Sequence, residues 1–208
     1  MLGCRWLPSD APAELARIRQ PAPRGIVVHS GELRDDEICV VRGMNCTTAV
    51  RTAYDIGRRL PENAALIRID ALMSATKVTV AQIESIERRY PGARGIRTLR
   101  AVLALAGGGA ESPQETRLRM LLVRSGFPRP VTQIRVGNRR IDIGWPQWKV
   151  GVEYDGVQHW TDPRQHAEDI DRLEFLAARG WRIVRVSSSQ LRYRPERVVD
   201  RVGAALRQ

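Results

Sequence analysis

Residues 139–160 read RRIDIGWPQWKVGVEYDGVQHW, and the fold of the chain turns on them. RRIDIGWP alternates Ile141 and Ile143 with polar neighbours, the period of a half-buried strand. WKVGVEYDG begins as a more continuous apolar run, which marks a central strand covered on both faces. Before them, PRPVTQIRV reads as another strand, and Gly137–Asn138 supplies the turn, since both residues tolerate φ above zero. Further upstream, Ser112 is placed to cap a helix, with Pro113 at its first position and Glu115 in the capping-box place. That helix runs through ETRLRMLLVRSG. Downstream, DPRQHAEDIDRLEFLAARG is a long helix, WRIVRVSS a strand and PERVVDRVGAALRQ a closing helix. The expected order from 112 is α-β-β-β-α-β-α. Strand 181–187 is expected to join strand 148–155 in parallel through a right-handed crossover. The class is α/β, with a mixed sheet flanked by helices.

The first half of the chain reads differently. APAELARIRQ suggests a short helix stopped by PAPRG, and GIVVHSGEL and EICVVRGMNC read as two strands of a small antiparallel unit separated by RDDE. Four helices follow. The first has Thr47 or Thr48 as its cap and ends at Pro61; the second is ENAALIRIDALMSAT. The third has Thr79 as its cap and stops at Pro91–Gly92; the fourth, RGIRTLRAVLALAG, runs into glycines 107–109. The expected division is a small strand unit plus a helical region over 1–106, and the α/β domain over 107–208.

Composition bounds the function. A chain of 208 residues that is 43% apolar can bury a real core. The opening MLGCRWLPSDAP has no secretory pattern, and no apolar stretch approaches a membrane span, so a soluble, cytoplasmic protein with no membrane partner is expected. Cys4, Cys39 and Cys46 lack zinc-type spacing and read as thiols in a reducing compartment. The net charge is +11, carried almost wholly by arginine, with only Lys77 and Lys149. A basic field favours a polyanion partner.

Three acids occupy strand positions. Asp142 lies between two isoleucines, and Glu153 and Asp155 stand two apart, on one face of the next strand. If the hairpin brings Asp142 opposite that strand's end, three carboxylates converge, and their hard oxygens suit Mg²⁺ or Mn²⁺. A cation there would polarise a phosphodiester oxygen and activate water. The blander alternative keeps Asp142 and Asp155 as strand-end acids and pairs Glu153 with an arginine. An unpaired charge inside VGVEYDG would be costly. His159 follows the turn at Gly156. His166, Asp169 and Arg172 lie on the crossover helix, within reach of the carboxylate rim. Asp169 and Arg172, three apart, also suit a plain ion pair. His29 has no evident role.

The segments RRIDIGWPQWKVGVEYDGVQHW and EDIDRLEFLAARGWRIVRV resemble the DUF559 family. That family is related to very-short-patch repair endonucleases within the PD-(D/E)XK restriction-endonuclease-like superfamily. The resemblance covers about 110–205, including ESPQETRLRMLLVRSGFPRPVTQ. VVRGMNCTTAVRTAYDIGRRLP, at 40–61, resembles the region that precedes such domains in AbiEi-type antitoxins. The resemblance implies a metal-dependent DNA endonuclease, in repair or defence, or an inactive DNA-binding regulator of a toxin–antitoxin system. Under it, Asp142 matches the first sheet aspartate, and Glu153 the acid of the E-x-K element, with Asp155 where the lysine would stand. Glu115 matches the first-helix glutamate, and Asp169 and Arg172 the D-x-x-R pair. His159 is the candidate proton-transfer group, His166 a supporting residue, and Arg139, Arg140 and Arg172 the candidate phosphate contacts. Arg88, Arg89, Arg94, Arg97 and Arg100 are further basic candidates. A partner protein or a second copy is left open. Residues 1–24 are too short for the winged helix of the larger antitoxin-like relatives, so a chain truncated relative to them is expected.

Overall fold

The computed structural model describes residues 10–16, 23–107, 109–156 and 163–207, with the side chains of 163–166 outside that description. The chain divides into two compact units, Met1–Gly108 and Gly109–Gln208.

The first unit begins with two small sheets. β1 (Ala13–Ala16) pairs in parallel with β2 (Ile26–His29), and β3 (Ile38–Val41) pairs antiparallel with β4 (Met44–Thr47). Both departures from the sequence reading have a physical cause. APAELARIRQ favours a short helix, but an isolated helix of about ten residues is marginal in water, whereas a neighbouring strand satisfies the backbone of Ala13–Ala16. His29 also reaches Glu14, at 2.7 Å. The antiparallel pair is a hairpin made by EICVVRGMNC and the Thr47 that follows it. Arg42 and Gly43, at φ 51° and 76°, form the left-handed two-residue turn that matches strand twist. The polar RDDE segment becomes a 3₁₀ turn, Asp35–Glu37, and Glu37 is fully buried. It is neutralised by Arg51 and accepts from the Tyr90 hydroxyl at 2.9 Å.

The helices α1 (Ala49–Arg59), α2 (Glu62–Thr76), α3 (Val80–Arg89) and α4 (Ile96–Leu105) follow. Thr48 caps α1 and Thr79 caps α3, each accepting the amide three residues on. Tyr54, Leu66, Ile69, Leu72, Ile83 and Leu99 fill the core between them.

The second unit is α5 (Pro113–Arg124), β5 (Val131–Val136), β6 (Arg139–Trp145), β7 (Val150–Asp155), α6 (Pro163–Ala177), β8 (Arg182–Ser187), α7 (Ser188–Tyr193) and α8 (Pro195–Arg207). The short helix α7 was not expected. Ser187 caps it in a full capping box with Gln190, although Ser187 and Ser188 read from sequence as the strand's end. Ser112 caps α5 as read, but Glu115 does not close the box. Its carboxylate accepts instead from the Glu111 amide at 2.8 Å and from Gln133 at 3.2 Å. At the Gly137–Asn138 turn only Gly137 has positive φ, 58°.

The strands form one sheet in the order β5-β6-β7-β8, with β7 and β8 parallel and the other pairs antiparallel. On one face, Leu118 and Leu122 of α5 and Val198 and Val202 of α8 pack on Ile143, Trp145, Val150, Val152 and Val186. On the other, Leu176 of α6 and Trp181 pack on Ile134 and Ile141. Gly151 is required beneath that layer, because a Cβ there would sit 2.7 Å from both Ile141 and Ile183.

Ile141 and Ile143 are two apart on β6 yet serve opposite faces. The strand changes face at Asp142. Its would-be partner Gln133 is missing from the β5–β6 register and lies in the left-handed region, at φ 53°. The β6–β7 register also stops at Ile143 and Val152.

Candidate active site

The break in the ladder positions the chemistry. Where β6 stops pairing with β7, the Asp142 side chain takes over as acceptor, and the Tyr154 amide donates to it at 3.0 Å. The carboxylate is thereby fixed between two strands in the lining of a cleft of about 240 Å³. The cleft is lined by Asp142, Glu153, Tyr154, Asp155, Asp169, Arg172 and Arg185. Glu153 and Asp155 share the face of β7 that looks toward α6, and Asp169 and Arg172 descend from α6. Arg185 comes from β8, whose parallel register sets it beside Glu153.

Four acids and two arginines share this small volume, and most of their charge is paired internally. Arg172 grips Glu153 with both arms, at 2.5 and 2.7 Å, and also reaches Asp169 at 3.0 Å. Arg185 reaches Asp155 at 2.8 Å and the other oxygen of Asp169 at 2.6 Å. The hydrogen bonds that Arg172 donates to Glu153 hold its guanidinium further into its charged form. Asp142 is the exception. Burial, the nearby charge of Glu115 and then that of Glu153 push its carboxyl up to about 7, against the pull of the Tyr154 amide and Arg172.

These placements sort the candidates. Asp142, Glu153, Asp155, Asp169 and Arg172 meet in one cleft. Glu115 is nearly buried on α5 and acts on Asp142 through its charge rather than from the lining. His159 and the side chain of His166 lie outside the described residues. Arg139 and Arg140 are not among the lining residues, and Arg140 pairs with Glu111 at 2.7 Å. In the first unit, Arg89 pairs with Asp36 and Arg100 with Glu87. Lys149 stands before β7, where its ammonium donates to the Arg179 carbonyl at 3.0 Å. Sequence reasoning missed Arg185. Its signal was the alternation in WRIVRV, which places Arg185 on the face of Ile183, read together with the expected parallel pairing.

Among the described residues no three Asp, Glu, His or Cys side chains are already arranged around a common metal position. The donor chemistry nonetheless suits a hard cation. Asp142 is a half-buried carboxyl whose ionisation is opposed by two neighbouring acids, and a divalent ion would relieve that opposition. Glu153 is available to such an ion only when Arg172 lets go.

Among the described residues no helix is long and apolar enough to cross a membrane. No solved structure matches the chain. It is 29% identical over 171 residues to the uncharacterized proteins MT2308 and Rv2248 of two Mycobacterium tuberculosis strains, CDC 1551 / Oshkosh and H37Rv. The alignment covers 80% of this chain and spans 63% of the length of those relatives. Residues 115–206, which hold the whole cleft, match the model of the restriction-endonuclease-like family described as REase_MTES_1575, a likeness that points to nuclease-type chemistry.

Proposed function

We propose that the second unit hydrolyses DNA phosphodiester bonds with Mg²⁺ or Mn²⁺ as cofactor. The observation that carries this reading is Asp142, a half-buried carboxyl pushed up to about 7 beside Glu115 and Glu153, in the lining of a polar cleft that also presents arginines. Asp142 and Glu153 are the residues that would hold the cation, with Asp155 at the rim. When bound, such a cation supplies Lewis-acid polarisation of a phosphoryl oxygen and a more acidic water. The chain's own residues supply the rest. Asp142 is pre-set by the Tyr154 amide, so its own side chain needs no reorientation, whereas Glu153 must first be released by Arg172. Glu115 anchors the start of α5 through the Glu111 amide and keeps negative charge behind Asp142. Arg172, freed from Glu153, presents a fork that matches two phosphate oxygens. His159 is the proposed proton donor to the leaving oxygen, on its sequence position after Gly156 and the ability of an imidazole to pass protons. The DUF559-like and repair-endonuclease-like character, and a role in repair or defence in the cytoplasm, belong to this same reading.

The test is nicking of supercoiled and mismatched duplex DNA with Mg²⁺ or Mn²⁺, comparing wild type with Asp142→Ala. Activity lost in the variant supports the assignment. Equal nicking by both proteins removes Asp142 from it.

A second reading is favoured by one observation. Arg172 satisfies both oxygens of Glu153, and Asp155 stands where the family pattern has lysine. This is how an inactive scaffold would neutralise an inherited acidic site. The protein would then be a DNA-binding regulator, antitoxin-like in its middle region. Absence of nicking together with salt-sensitive DNA binding favours it.

A further inference from the structure

Asp169 holds the key position in the cleft. One of its oxygens is bound by Arg172 at 3.0 Å and the other by Arg185 at 2.6 Å. Two guanidinium groups from different elements, α6 and β8, therefore converge on one small anion with two oxygens. The same arrangement recognises the two non-bridging oxygens of a phosphodiester, because guanidinium forks read paired oxygens whether carbon or phosphorus carries them. Neither arginine is sealed in: their side chains are 23% and 27% exposed, and that of Asp169 is 21% exposed. Solvent, and a ligand with it, can reach this carboxylate, which full burial would prevent.

We propose that Arg185, together with Arg172, forms a phosphate-gripping pair, and that Asp169 is an internal placeholder that occupies the phosphate position while the cleft is empty. The proposal rests on the nuclease reading for its ligand, a DNA backbone phosphate, and adds to it a residue and a form of self-restraint. The exchange is electrostatically balanced. Leaving Asp169, each guanidinium trades one anionic partner for another, and Arg185 keeps its second contact to Asp155 at 2.8 Å as a pivot. Asp169 is already partly exposed, so water can solvate it once it is displaced. The placeholder also prevents the two arginines from repelling one another across an empty cleft.

The proposal predicts opposite effects from substitutions on the two sides of the same ion pair. Binding of a fluorescein-labelled DNA duplex is measured by anisotropy in EDTA across a salt series, so that cleavage plays no part. Asp169→Asn is expected to tighten binding several-fold, because the arginines lose an anionic competitor and keep a neutral acceptor. Arg185→Met is expected to weaken binding about 10-fold and to lower the slope of log affinity against log salt by about 0.9, the loss of one phosphate contact. Should Arg185→Met fail to fold, Arg185→Gln, which keeps a donor toward Asp155, is read for the same slope change. An unchanged slope in whichever folded variant is measured overturns the proposal, as does Asp169→Asn weakening binding like the arginine variants. Wild type that binds without ever nicking sinks the nuclease reading but leaves this one standing; wild type without salt-sensitive binding overturns this one.

Discussion

Replacing Asp142 by asparagine should stabilise the second unit, and the gain should grow with pH. In the folded chain the carboxyl titrates at about 7, against an ordinary 3.8, with burial as the main cause. The folded form therefore keeps a proton that the unfolded chain has already released. A group raised in this way contributes stability fully below the unfolded value and loses it as pH rises through the folded one. The complete gap corresponds to about 4 kcal/mol, and about 2–3 kcal/mol of it falls between pH 5 and pH 8. Asparagine carries no charge at any of these pH values, and its oxygen can still accept from the Tyr154 amide, so the closure of the strand gap is retained. Alanine would lose that acceptor and confuse the two effects. The assay is thermal unfolding of both proteins in EDTA at half-unit steps from pH 5 to pH 8. The difference in Tm should widen by on the order of 10 °C for a unit of about 100 residues. Parallel Tm–pH curves for the two proteins would refute the argument, since they would mean that Asp142 does not carry an opposed charge in the fold.

Other outcomes follow from the same geometry. Arg172→Met strands Glu153, a carboxylate only 6% exposed, and should destabilise the protein by about 3 kcal/mol in EDTA; a loss below about 1 kcal/mol in urea unfolding would mean that Glu153 is solvated in solution. Millimolar Mn²⁺ should raise the Tm of wild type and leave that of Asp142→Asn nearly unmoved, by differential scanning fluorimetry; equal shifts would place the cation elsewhere. Gly144→Ala puts a Cβ 2.3 Å from the Val150 carbonyl oxygen, a backbone atom that cannot step aside, and should cost about 2–3 kcal/mol or prevent folding; a neutral result would show that the β6–β7 turn yields easily.

The sheet was legible because its signals are local. Ser112–Pro113 marks the start of α5, Gly137 the first turn, and the change of period between 139–155 and 163–177 separates strands from helix. The cleft was partly legible. Glu153 stands out as a charge inside an apolar run, and Asp169 with Arg172 as a helical pair; the bland reading of each, an arginine partner and an i,i+3 ion pair, proves to be one network. Arg185 did not stand out, because an arginine on an alternating strand looks like any solvent-facing residue until the β7–β8 register is known. The left-handed Gln133 has no sequence signal, since glutamine is an ordinary strand residue and only its lost pairing with Asp142 explains the conformation. The β1–β2 pair is the least readable element, because four residues of AELA carry too little preference to outweigh whichever neighbour completes their hydrogen bonds.

The change of face at Asp142 also bears on how this strand tolerates sequence drift. An ordinary half-buried strand answers to one packing layer, so its apolar positions vary together. Here Ile141 belongs to the layer under α6, and Ile143 and Trp145 to the layer under α5 and α8. Within seven residues the chain carries two addresses, each answerable to a different neighbour. Among relatives, size changes at 141 should be matched by changes near Leu176 and Trp181, and size changes at 143 or 145 by changes near Leu118, Leu122 and Val198. The aspartate between them is the boundary across which neither set needs to consult the other.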